Sequence, residues 1–183
     1  MFLIHLFYFA LTGIGLGLVF WRRNELNLFD PLGFSIEGSL IFSTLTVAII
    51  FTVHFLSRWS VGHWSSLKQS AHELNCWIGE MKNIQILIIS LASGVGEEII
   101  FRGWLLNEIG LISSSLVFGV VHWPPNKHWR FWPFFAFSMG MILGLLCIWS
   151  NTLIYAIVVH VGINLLNLRL LPKIVNSEEY EKR

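Results

Sequence analysis

Long apolar runs separated by short polar connectors set the plan of this chain. Apolar residues fill positions 2–20, 39–56, 84–107, 131–149 and 152–171, with a shorter run at 111–123. Crossing about 30 Å of hydrocarbon takes roughly 18 or more helical residues, a length the first five runs reach. The pattern predicts an all-α, polytopic membrane bundle of about six transmembrane helices. The first run lacks a basic leader and a small-residue cleavage site, and Trp21-Arg22-Arg23 follows it, so it is expected to stay as an anchor rather than act as a signal peptide. Between the second and third runs, Trp59, Trp64, Leu67, Leu74 and Trp77 alternate with Arg58, Lys68, Glu73 and Lys82. That suits an amphipathic segment lying in the headgroup region. The predicted organisation is two membrane helices and this connector over 1–83, a core over 84–171, and a polar tail over 172–183, solvated from Asn176 onward.

Composition agrees with a bilayer as solvent. Of 183 residues, 55% are hydrophobic and 13% charged, a profile unlike that of soluble domains. A net charge of +1 offers no basic face for phosphates, so nucleic acid is not an expected partner. Cys76 lies in the polar connector and Cys147 in an apolar run; both read as free thiols. With six spans, Arg58, Lys68, Lys82, Lys127, Arg130, Arg169, Lys173, Lys182 and Arg183 fall on one side against Arg22 and Arg23 on the other. The excess predicts that both termini are cytoplasmic.

Against this background the stretch "GEEIIFRGWL" at 96–105 is anomalous, since it sets two carboxylates and a guanidinium inside an apolar run. Charges inside spans cost several kcal/mol and are rarely kept without a partner or a role. A helical hairpin turning at Ile109-Gly110 accounts for their position. Glu97 is thirteen residues before Gly110 and His122 twelve after it, which puts both on the order of 18–20 Å from the turn. In the last run His160 and Asn164 share a helix side at a similar depth. Trp123-Pro124-Pro125 ends the short helix well before a full crossing, and irregular backbone at that depth has to be buried in protein or line water; a wet cavity opening to the cytoplasmic side is expected. Glu98 and Arg102, at i and i+4, should pair, while Glu97 points about 100° away and is left to act as a base or acid. His122 alone would read as an interfacial helix-end histidine, and His160 with Asn164 as interhelical polar glue. Gly94, Gly96, Gly140 and Gly144 suit close helix packing.

Taken together, "EEIIFR" (Glu97, Glu98, Arg102), "FGVVH" (Phe118, His122) and "HVGIN" (His160, Asn164) resemble the E-E-x-x-x-R, F-x-x-x-H and H-x-x-x-N/B signatures of the CPBP intramembrane protease family. That family includes the CAAX prenyl endopeptidases of the Ras-converting type and bacterial bacteriocin-processing relatives. The resemblance covers about residues 84–170. It implies a four-helix catalytic core in an integral membrane protein, expected in a bacterial plasma membrane, and endopeptidase chemistry on a lipidated or membrane-embedded substrate. It implies that Glu97 and His122 activate water, that His160 and Asn164 stabilise the oxyanion, and that Glu98 with Arg102 supports the first carboxylate. Family members are described both as zinc enzymes and as metal-free glutamate proteases. With Glu98 engaged by Arg102 and no H-E-x-x-H helix, the sequence favours the metal-free form, without cofactor, over the zinc alternative. A transporter or channel component is a rival, since intramembrane Glu, His and Arg also build proton relays, and a non-catalytic immunity or scaffold protein is another. The absence of a visible internal repeat speaks against the common transporter architectures.

Overall fold

The computed structural model describes residues 2–22, 36–123 and 130–181; Arg23, Pro124, Pro125, Lys127, Lys182 and Arg183, which entered the topology and loop expectations, lie outside them. All regular elements among the described residues are helical. They are α1 (Phe2–Arg22), α2 (Ile36–His63), α3 (Ser65–Ile78), α4 (Asn83–Glu98), a π-helical segment (Ile99–Leu105), α5 (Leu106–Val121), α6 (Trp132–Ser150) and α7 (Ile154–Glu181).

The run Asn83–Val121 spans 39 residues, about 58 Å if straight, twice what a bilayer needs. It does not run straight. Gly110 has φ 78 and ψ 173, a region open to glycine and costly for any other residue, and the chain folds back there. Phe101 and Phe118 stack edge-on at 4.8 Å across the hairpin, and Glu97 meets His122 at 3.6 Å. Both pairs are centred on the Ile109-Gly110 turn that the sequence predicts.

Among the described residues four helices are long and apolar enough to cross a membrane, the hairpin among them, and Leu6–Trp21 is a shorter apolar stretch. Counting both hairpin legs with α1, α2, α6 and α7 gives the six predicted rods. Their polarity is inverted relative to a soluble protein. Leu40, Ile41 and Phe55 of α2 and Ile112, Leu116 and Val120 of α5 are all exposed, whereas Glu97, Glu98, Arg102, Ser90 and Ser93 are buried. Water would reward the opposite arrangement, while lipid accepts the apolar exterior and forces charge inward. The chain is an integral membrane protein.

Small residues let the helices that carry the polar groups close on one another. A Cβ at Gly94 would lie 2.6 Å from Val161, and one at Gly140 would lie 2.9 Å from Ser115, so α4 packs directly on α7 and α5 on α6. Between α6 and α7 the polar triplet Ser150-Asn151-Thr152 makes the turn. Asn151 takes a left-handed φ of 52, which asparagine tolerates, and the Thr152 hydroxyl accepts from the Ile154 N–H at 3.4 Å as α7 begins.

The connector holds a helix of its own, and the last helix runs on into the polar tail. α2 continues to His63, and the amphipathic segment is a discrete helix, α3, with Ala71 buried and Trp64 and Trp77 exposed. The polar tail expected over 172–183 is helical backbone as far as Glu181, with Pro172 inside the helix. Proline keeps a helical φ and removes one hydrogen bond, and the Glu and Lys that follow are good helix formers, so polarity there does not end the helix.

Candidate active site

Glu97 and Glu98 close α4, and the backbone changes character immediately after them. From Ile99 to Leu105 the helix is π-helical, a rare form met mostly as single turns at functional sites. Just beyond it, Asn107 Nδ2 donates to Gly103 O at 3.2 Å and to Arg102 O at 3.5 Å. Arg102, 3% exposed, lies within the segment and turns back toward Glu98.

Glu98 is fully buried, and one of its oxygens does double duty. Oε1 accepts from Arg102 Nη1 at 2.9 Å and from His160 Nδ1 at 2.7 Å. The predicted pair with Arg102 is therefore formed, and a link to α7 that the local spacing could not reveal is added to it. The Arg102 guanidinium also lies 4.3 Å above the Phe118 ring, a cation–π contact favourable where water is excluded. Phe118, the phenylalanine four residues before His122, thus holds the cation and the histidine together, its ring being 4.4 Å from that of His122.

His122 is the first residue past α5, with φ −90 and ψ 14. Its Nδ1 is 2.7 Å from Phe118 O. A carbonyl only accepts, so Nδ1 carries the proton, and in the neutral ring Nε2 presents its lone pair. That lone pair faces Glu97 Oε2 at 3.6 Å, too long for a direct hydrogen bond and suited to a bridging water. His160 Nε2 approaches the same oxygen at 3.9 Å. Glu97 Oε2 is buried and makes no hydrogen bond among the described residues. The two carboxylates differ in what holds them: Glu98 is tied through Oε1 to Arg102 and His160, while Glu97 turns its unbonded Oε2 toward His122 and His160.

Asn164, one turn beyond His160, donates from Nδ2 to Ser93 Oγ at 2.9 Å, and Ser93 lies one turn before Glu97. The α4–α7 contact thus pairs Ser93 with Asn164 and the two glutamates with His160, in antiparallel register. All six residues singled out from the sequence fall in this one region. Ser93 was not among them, because an isolated serine in an apolar helix carries no signal of its own. By ligand type, Glu97, His122 and His160 would be the zinc set, yet no three His, Cys, Asp or Glu side chains among the described residues are arranged to hold a metal ion.

Residues 80–166, the segment that contains all of these groups, match the family described as Type II CAAX prenyl endopeptidase Rce1-like. Over these residues the chain is similar to the Rce1-like family. This is a peptidase family of membrane proteins, which fits both the apolar helices and a site buried between them. The match takes in the three motif segments and leaves out α1, α2 and α3. An uncharacterized protein of Bacillus subtilis (strain 168), YpbD, is 29% identical over 75 residues, which are 41% of this chain and 39% of that protein. The similarity thus spans about two fifths of the relative's length. No solved structure matches the chain.

Proposed function

We propose that this Rce1-like protein is an intramembrane endopeptidase that cleaves a membrane-anchored protein with water activated by Glu97 and His122. The observation that carries the reading is the opposition of two acceptors, Glu97 Oε2 and the His122 Nε2 lone pair, at 3.6 Å in a buried setting. A water between them donates one hydrogen to each and keeps its oxygen lone pairs for attack. As that oxygen bonds to the scissile carbonyl carbon, its proton passes to Glu97. The carbonyl becomes an oxyanion, for which Asn164 offers an amide hydrogen and His160 offers Nε2–H when the ring carries both protons. Collapse breaks the C–N bond, and the proton on Glu97 leaves with the amine. Glu98 takes no part in the transfer and holds His160 and Arg102 in place.

No step in this sequence requires an ion. In the zinc alternative Glu97, His122 and His160 would be the ligands, and the ion would polarise the same water.

The reading is tested by mass spectrometry of membrane-protein termini in cells carrying the wild-type protein or Glu97→Gln. A set of new termini present with the wild type and missing with Glu97→Gln is expected, and cleavage by purified protein should survive excess chelator. Identical termini in the two strains would contradict the protease reading. Stoichiometric metal whose removal stops cleavage would contradict the metal-free mechanism alone.

A further inference from the structure

Two polar side chains interrupt apolar runs away from the catalytic layer, His54 in α2 and Asn167 in α7. In lipid each needs a partner, and each finds the other. His54 Nδ1 lies 3.0 Å from Asn167 Oδ1; an amide oxygen only accepts, so Nδ1 carries the proton. Asn167 Nδ2 in turn donates to Ser57 Oγ at 3.4 Å. α2 lies outside the matched segment, and Asn167 is one position past its end. The contact ends a longer seam. The Phe42 and Tyr155 rings lie 5.5 Å apart, and a Cβ at Gly162 would lie 2.7 Å from Ile50. The partners advance together along both helices, so α2 runs parallel to α7. Gly162 stands midway between His160 and Asn164, and Asn167 continues their stripe at i, i+4 and i+7. α4 holds that stripe through Glu98 with His160 and Ser93 with Asn164. α2 holds it one turn further on.

We infer that His54 is a positioning residue for the reaction, its hydrogen bond to Asn167 fixing the register of α7 so that His160 and Asn164 stay aimed at the oxyanion. Apolar contacts such as Phe42 on Tyr155 lose little when one helix slides slightly along another. A hydrogen bond is directional, and it is lost once donor and acceptor part by more than about half an ångström. Catalysis is sensitive on the same scale, since a group misplaced by about 1 Å can cost on the order of 10²-fold in rate. The lock lies one turn from Asn164, on the stripe that carries both oxyanion groups. α2 is thereby part of the catalytic framework as well as a membrane anchor.

This inference rests on His160 and Asn164 serving the oxyanion, and the experiment separates the two claims. With a substrate identified from the changed termini, kcat, KM and melting in detergent are measured for wild type, His54→Leu, His54→Asn and the double variant His54→Leu with Asn167→Leu. Leucine at both positions leaves neither partner unpaired, and Ser57 can turn to a carbonyl of its own helix, so the double variant is expected to melt like wild type. Its kcat is expected to fall by about three- to tenfold, what an interhelical hydrogen bond is worth in a membrane, with KM unchanged. His54→Asn keeps an amide N–H near the place of Nδ1 and is expected to retain most of the wild-type rate. Wild-type kcat in the double variant, a loss confined to KM, a loss of kcat that tracks melting, or His54→Asn as slow as His54→Leu would overturn the role of His54 and leave the protease reading intact. Wild-type kcat in Asn164→Ala would overturn the oxyanion role and the inference with it.

Discussion

Glu98 and Arg102 show what a single turn of sequence can and cannot announce. Their i, i+4 spacing makes the ion pair predictable, and the pair forms at 2.9 Å. That the same oxygen also accepts from His160, 62 positions away, could not be read from spacing, because it depends on how α4 meets α7. Nor could the tautomer of His122, which follows from a carbonyl only the folded turn supplies. The chemistry-bearing residue types were thus legible, and their division of labour only in part. The pair is buried, so removing one partner leaves an uncompensated charge, which costs about 3–5 kcal/mol. Arg102→Ala is expected to lose that much stability in detergent and to lower activity through His160, which shares Glu98 with it. Melting at the wild-type temperature would show that the pair contributes nothing.

Among the elements, the hairpin was the most legible and the π-helical segment the least. Two apolar runs, 84–107 and 111–123, flank an Ile-Gly step placed midway between Glu97 and His122, which calls for a turn at that step. The seven residues from Ile99 to Leu105 carry no comparable mark, since Ile, Phe, Trp and Leu suit an ordinary helix equally well. The polarity of the tail left open whether it is helical, and the helix runs through Pro172 as far as Glu181. Gly110 offers a clean test of the turn. A Cβ there meets nothing within 4 Å, yet φ is +78, so Gly110→Ala adds backbone strain without a clash. Such a conformation costs about 1–3 kcal/mol for a non-glycine residue, and a fall of that size is expected in the detergent melting free energy. No change would mean that the chain turns elsewhere.

At the scale of the whole molecule, sidedness and mechanism are the open expectations, and the chain carries a reporter for the first. Cys76 on α3 is exposed and Cys147 on α6 is buried, so a membrane-impermeant thiol reagent should find one target. With the connector on the cytoplasmic side, Cys76 is expected to label in inverted vesicles and to resist labelling in intact cells; the reverse pattern would turn the topology over. The mechanism is the central claim, and it treats Glu97 and His122 as one unit holding one water. Residues that act as a unit lose most of their effect together, so their losses do not add. The most direct measurement is therefore a double-mutant cycle in kcat with Glu97→Gln, His122→Ala and the combined variant, on a substrate taken from the changed termini. Each single variant is expected to be inserted and folded and to lose nearly as much turnover as the combination. Near-wild-type turnover in either single variant, or losses that multiply in the combination, would contradict a water shared between the two side chains.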